Sequence, residues 1–394
     1  MNDYLNIVPT EDCTGCSACL NSCPVGCISM SADEHGFRYP FVDRPSCINC
    51  GMCESICPVH NVGEPNQSNS VFYGCKHVDD VVRRHSSSGG FFYELARNII
   101  SSGGVVFGAA FSDDFHKVVH VQASTSDELE HLRISKYVQS EVESSFPLVK
   151  MAIVQGRSVL FSGTPCQIAG IKSYIGEVPD NLILAEVVCH GVPSPKVWDI
   201  YLSGLEKDHG SRVKYVTFRD KSKSWRRSDF LALFENGNEF RQPNSENPYM
   251  KAFLRNLSLR PSCTRCRFKS FSSGADITMG DFWGSTELGD SYNDDIGISV
   301  VALNTLKGRS FFDSAKDNLT GVVKLSEKQA FVFNESYSSS ALKNPGSEFF
   351  LKCPDFQNFK DVHSRYSIHK NVKYYFILSF LKRFFVFCWS RFKK

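Results

Sequence analysis

No Gly-x-Gly-x-x-Gly follows a strand-like run anywhere in the 394 residues. The fingerprint that seats a dinucleotide pyrophosphate on a helix start is therefore missing, and an NAD(P)-dependent reaction is unsupported. Net charge is nearly absent too. With 44 Lys and Arg against 42 Asp and Glu, the chain carries +2, so no global field argues for nucleic acid or for an acidic partner. Met1-Asn2-Asp3 opens without the basic and apolar regions of a secretory signal. The 16 cysteines are accordingly read as thiols in a reducing, cytoplasmic setting rather than as disulfides. The chain does have bulk: at 42% hydrophobic content it is long enough for two or three domains with cores of their own.

Near its start the chain writes Cys-x2-Cys-x2-Cys-x3-Cys-Pro twice, at Cys13, Cys16, Cys19, Cys23, Pro24 and at Cys47, Cys50, Cys53, Cys57, Pro58. Three thiolates two residues apart can wrap one corner of a cubane from a single loop, and the fourth cysteine of each run ligates the other cluster. This predicts one [4Fe-4S] set of Cys13, Cys16, Cys19 and Cys57, and a second of Cys47, Cys50, Cys53 and Cys23. Zinc knuckles or a disulfide framework are the competing readings, and neither needs this spacing with a proline after each fourth cysteine. Ile28–Ser31 and Phe37–Val42 read as a hairpin around Asp33-Glu34-His35-Gly36. The head resembles a bacterial-type ferredoxin with two clusters.

Val59–Ser70 is polar, without hydrophobic periodicity, and reads as a linker. Beyond it, strand-like runs at Val105–Phe111, Val118–Ala123, Ser158–Phe161, Leu182–Val188, Val213–Arg219, Phe230–Phe234 and Ile298–Leu303 mix with helical ones at Phe91–Ile100 and Gly308–Leu319. That alternation predicts an α/β body with no membrane span.

Cys166 and Cys189 each follow a predicted strand, at the carboxyl ends where open α/β sheets build their sites. Cys263 and Cys266 form a Cys-x2-Cys pair between elements, free to fold over such a crevice. Zinc accepts the same four thiolates. Behind a ferredoxin head, a redox-inert zinc would break an electron path that a third [4Fe-4S] cluster would extend. Cys27, Cys75, Cys353 and Cys388 have no such partners and read as ordinary thiols.

Five strings then carry a resemblance: Ser86-Ser87-Ser88-Gly89-Gly90, Ser135-Lys136-Tyr137-Val138-Gln139-Ser140, Gly163-Thr164-Pro165-Cys166-Gln167-Ile168-Ala169-Gly170, Cys189-His190-Gly191-Val192-Pro193-Ser194-Pro195 and Asp276-Ile277-Thr278-Met279-Gly280-Asp281-Phe282-Trp283-Gly284. In this order they resemble the coenzyme F420 hydrogenase/dehydrogenase beta-subunit family over roughly residues 10 to 310. The resemblance implies an α+β ferredoxin-like head followed by an α/β flavin-binding body that holds FAD and its own cluster. The expected divisions are residues 1–65 for the head, 66–150 and 151–345 for the two parts of the body, and 346–394 for a C-terminal tail. Ser86, Ser87, Ser88, Gly89 and Gly90, just before a helix, suit the FAD pyrophosphate or a simple cap. Ser135, Lys136 and Tyr137 complete the expected flavin contacts, with Lys136 a cation for the reduced ring or a surface lysine.

Catalytic candidates are few. Lys136 and His190 are the two, His190 as a proton donor or a structural histidine. Arg219, Asp220 and Lys221, near Trp225, read as a solvated charge run or as a substrate-recognising group, and Asp276 and Asp281 as turn-forming acids rather than catalysts. Lys373–Lys394 is aromatic and basic, too short and charged to span a bilayer; it reads as a helix lying on an inner membrane face, docked on a partner or packed on the body. The whole predicts a flavin-dependent iron–sulfur oxidoreductase acting between a redox protein (a ferredoxin or an oxidoreductase subunit) and a small organic molecule. That molecule stays open between coenzyme F420 and a glycan-biosynthesis compound. A relay subunit without substrate, and a redox-sensing scaffold of a membrane-associated biosynthetic complex, are the alternatives.

Overall fold

A computed structural model of the chain describes residues 8–63, 70–289, 292–352, 355 and 359. The expected tail helix over Lys373–Lys394 and residues 64–69 of the linker lie outside the described residues.

In the head, β1 (Ile28–Ala32) and β2 (Arg38–Val42) pair antiparallel with Ile28 opposite Val42. The turn is closed by Asp33, whose Oδ1 accepts from the amides of His35 at 2.9 Å and Phe37 at 2.8 Å, while Gly36 takes φ +82°. At the open end of this hairpin Ile28 and Val42 pack within the head, on Cys27, while the turn end reaches the body. Phe37 and Tyr39 are buried with Trp198, Tyr201, Phe218 and Tyr249 of the body, and Cys16 and Ala18 with Phe161 and Ile168. Head and body therefore share their hydrophobic interior.

The body continues with β3 (Val71–His77), β4 (Val105–Phe111), β5 (Val118–Ala123), β6 (Val159–Gly163), β7 (Leu182–Val187), β8 (Val213–Asp220), β9 (Asp229–Phe234), β10 (Glu239–Pro243), β11 (Ile277–Asp281), β12 (Ser299–Leu303) and β13 (Leu319–Leu325). Eight of these form a mixed sheet ordered β13-β3-β12-β11-β7-β6-β4-β5, and β10-β9-β8 form a small antiparallel sheet. The neighbours β4, β6, β7 and β11 run parallel. Their residues are buried on both faces, as parallel strands require. Leu160 and Ile183 face Phe91, Leu95 and Ile99 of the helix Phe91–Ser101, whereas Phe161 and Leu184 face Ile168 and Ile171 of the helix Pro165–Ile175. Since alternate residues of a strand point to opposite faces, the two helices cover opposite sides of the sheet.

Two sequence expectations change. The helix expected over Gly308–Leu319 begins at Leu306 under a Thr305 cap and ends at Ala315; Leu319 is buried and starts β13, because it pairs with His77 at the sheet edge. The linker starts later than Val59, which is buried against Ala169 and Phe268.

Candidate functional site

Cys13, Cys16, Cys19 and Cys57 line one cavity, with Thr14, Gly15, Ala18, Met30, Tyr39, Pro58 and Val59 among its walls. Gly15 at φ +69° and Ser17 at φ +64° curl the loop so that successive cysteines turn inward before the short helix Ala18–Ser22. Burial pushes the Cys16 thiol up to about 12, and the neighbouring Cys57 and Cys13 push in the same direction. Cys19 is raised by burial and then by Cys16, Cys13 and Cys57. Four thiols, apolar walls and no carboxylate or imidazole in the lining fit a thiolate-held cluster.

The second set is more open. Cys23, Cys47 and Cys53 pack on Cys27, Ile28 and Val42, and Cys50 is exposed. Cys27, read from the sequence as an ordinary thiol without partners, has its sulfur 3.5 Å from that of Cys23. Its one sequence signal is its position four residues after Cys23.

The third set is assembled by the sheet. Parallel pairing of β6 with β7 puts Gly163 opposite Glu186, so Cys166 and Cys189 leave the same end. Cys166 sits in the first turn of the helix Pro165–Ile175, fixed by a Thr164/Gln167 capping box, with Thr164 Oγ1 3.2 Å from its sulfur. Cys263 lies in the 3-10 turn Pro261–Arg265, rather than in irregular loop, and the Val192 amide donates to its sulfur at 3.4 Å. The Cys166 thiol is raised by burial and then by Cys266, Cys189 and Cys263, so all four are near enough to repel as thiolates. Lys269 braces the same loop, donating to the carbonyls of Cys189 at 2.6 Å and Ser336 at 2.8 Å. Among the described residues, no three His, Cys, Asp or Glu side chains close on a point fit for a single metal ion.

The first and third sets adjoin. Cys57, Cys166 and Cys266 pack on one apolar cluster of Val59, Ala169 and Phe268.

Ser86–Gly90 and Ser135–Tyr137 also meet, because Ser87 Oγ accepts from the Ser135 amide at 2.6 Å and lies 2.9 Å from the Ser135 hydroxyl. The helix Phe91–Ser101 starts at Gly90, φ +90°, with no side chain capping its first amides. Cations crowd the loop. Arg133 donates to Ser86 Oγ at 3.1 Å, Arg219 to the Ser87 carbonyl at 3.0 Å, and Lys221 to the Ser88 carbonyl at 2.9 Å. Burial brings both Lys136 and Lys221 down to about 7. Arg219, Lys221 and Trp225 are thus buried, not the solvated run expected; Asp281 compensates Arg219 at 3.1 Å and accepts from Trp225 Nε1 at 3.3 Å. Buried Asp276 accepts from the Leu184 amide at 3.0 Å and the Thr305 hydroxyl at 2.7 Å, in keeping with a scaffolding acid.

Ring contacts join this region to the third set. Tyr137 stacks on Phe253 at 5.0 Å, and His190 meets the same ring edge-on at 5.3 Å. Both nitrogens of His190 are engaged, Nε2 with Asn256 Oδ1 at 2.6 Å and Nδ1 with Ser336 Oγ at 3.3 Å, and burial lowers its pKa. Such a histidine orients its loop.

Residues 156–329 match the family described as the C terminus of the coenzyme F420 hydrogenase/dehydrogenase beta subunit, and residues 12–61 match the 4Fe-4S dicluster domain. The body thus carries that beta subunit's C-terminal domain, behind a 4Fe-4S dicluster head. Its head is similar to curated ferredoxins. It is 41% identical over 54 residues to the 7Fe ferredoxin of Hydrogenibacillus schlegelii, spanning 13% of this chain and 63% of that protein. An uncharacterized ferredoxin of Methanocaldococcus jannaschii is 38% identical over 56 residues, 14% of this chain and 71% of that protein. The F420-reducing [NiFe] hydrogenase complex of Methanosarcina barkeri contains a chain with 20% identity and a TM-score of 0.44, covering 79% of this chain and 97% of that one.

Proposed function

We propose that the chain is an iron–sulfur flavoprotein that carries electrons between a redox protein and a small organic substrate. One observation carries this reading: Cys57 of the head and Cys166 and Cys266 of the body pack on the same apolar cluster, so a head site and a body site share a wall. When bound, [4Fe-4S] clusters supply single-electron transfer, and FAD supplies the exchange of single electrons for a hydride equivalent. Cys13, Cys16, Cys19 and Cys57 would hold the inner head cluster. Cys23, Cys47, Cys50 and Cys53 would hold the outer one, and Cys166, Cys189, Cys263 and Cys266 the third.

The outer set is the entry face. Cys50 is exposed, and around it Val25, Ile48 and Met52 are 45%, 60% and 44% exposed, an apolar surface for a ferredoxin or an oxidoreductase subunit. At the other end, Ser86–Gly90 and the first amides of the helix Phe91–Ser101 would take the FAD pyrophosphate. Arg219 supplies a fixed positive charge beside that loop, and Lys136 and Lys221 add to it while protonated. Tyr137 and Phe253 exclude water between this loop and the third thiol set.

The test is to load anaerobic protein with FAD and supply reduced ferredoxin while following flavin absorbance. The wild type bleaches; Cys166→Ala keeps its flavin and bleaches at least tenfold more slowly. A protein that binds no flavin, or a Cys166→Ala variant that bleaches at the wild-type rate, overturns the reading.

A further inference from the structure

Arg260 is a fully buried arginine placed between two of the thiol sets. It stands three residues before Cys263 and reaches into the head. Its Nε donates to the Cys13 carbonyl at 2.8 Å, Nη1 to Gln139 Oε1 at 3.0 Å, and Nη2 to the Arg38 carbonyl at 3.0 Å. Nη2 also points at the Cys13 sulfur, 3.8 Å away. The guanidinium lies over the rings of Tyr39 at 4.3 Å and Phe37 at 5.5 Å. Each of these acceptors is a carbonyl, an amide or a sulfur. A guanidinium buried without a carboxylate is costly, and the structure keeps it anyway. What offsets that cost is the negative charge of Cys13 and its fellow thiolates once they hold iron, since four thiolates leave a cubane site net anionic.

We propose that Arg260 is a positioning residue that raises the reduction potential of the inner head cluster above that of the outer one. Each added electron makes the inner site more negative. A fixed cation at 3.8 Å from a ligand sulfur, in a water-poor interior, favours the reduced form, as hydrogen bonds and charges near cluster sulfurs do generally. Among the described residues, no arginine or lysine donates to a sulfur of the exposed outer set: Cys47 receives the Asn49 amide, at 3.5 Å. Electrons arriving at the exposed cluster would thus rest on the inner one, beside the body. The same side chain fixes the docking, because a Cβ on Gly15 would fall 2.9 Å from Arg260 Nη1.

This inference rests on the assignment of Cys13 to a cluster, and its test separates the two. The two head clusters of the anaerobic full-length protein are titrated electrochemically and followed by electron paramagnetic resonance in the wild type, Arg260→Met and Arg260→Lys. Arg260→Met, with iron content unchanged, is expected to move the inner signal to lower potential by about tenfold in electron partition, which is about 59 mV for one electron. The outer signal stays. Arg260→Lys keeps the charge and is expected to keep the wild-type order of potentials. Should Arg260→Met lose iron, Arg260→Lys decides: reversed potentials overturn the inference, and retained order supports it. Unshifted potentials in an iron-replete Arg260→Met overturn it while leaving the cluster assignment intact. A wild type showing no cluster dependent on Cys13 overturns the assignment itself.

Discussion

Gly170 lies directly against Cys16: a Cβ built on the glycine would fall 2.8 Å from the Cys16 Cβ and 3.1 Å from its sulfur. One helical turn separates Gly170 from Cys166, so a single helix touches a head thiol and carries a body thiol. In an exposed helix, alanine would stabilise by about 1 kcal/mol over glycine. Here the contact reverses the sign. Gly170→Ala is expected to destabilise by about 1–3 kcal/mol, the range for overpacking, seen in denaturant unfolding of the anaerobic protein. An unchanged or raised midpoint would show that head and body yield freely at this contact.

Crossed ligation makes a second prediction. Cys57 lines the cavity of Cys13, Cys16 and Cys19, although it belongs to the later run. Cys57→Ala should therefore damage the inner cluster and spare the outer one, whereas Cys23→Ala should do the opposite. Spectra in which Cys57→Ala removes the signal assigned to the outer set would disprove the crossing.

Much of this was legible in the sequence, and for definite reasons. Fixed cysteine spacings report ligand geometry locally, and the hairpin was readable because Asp33 and Gly36 write its turn into adjacent residues. Strands β4, β5, β6 and β7 announced themselves as β-branched and aromatic runs. Burial of charge was not readable. Arg219 and Lys221 follow a strand like any solvated run, and only the fold brings backbone carbonyls from Ser87, Ser88 and Ile296 to them. Arg260, between Leu259 and Pro261, carries no local signal, since its partners are more than a hundred residues away.

Stability should respond to acid through Glu94, which anchors the helix behind Ser86–Gly90. Burial raises its carboxyl, but bonds from His77, Arg97 and Asn318 outweigh this and hold it at about 2. A depressed carboxyl contributes stability above its unfolded value, near 4.5, and loses it as pH falls toward 2. Glu94→Gln should cost up to about 3 kcal/mol at pH 7, a gap that narrows below about pH 4.5. A gap that stays constant with pH would remove the ion-pair explanation.

Lys136 predicts the opposite slope for anion binding. Its ammonium is lost as pH rises through about 7, so FAD affinity of the flavin-free protein should weaken above that pH, by no more than tenfold per unit. In Lys136→Met the dependence should flatten. Equal pH profiles for the two proteins would take Lys136 out of the flavin site.

Iron and zinc content per chain tests the central claim most directly. Anaerobically prepared full-length protein should carry about twelve irons, three cubanes of four, and Cys189→Ala about eight. About eight irons in the wild type, with one zinc in the set of Cys166, Cys189, Cys263 and Cys266, would contradict the electron path from head to body.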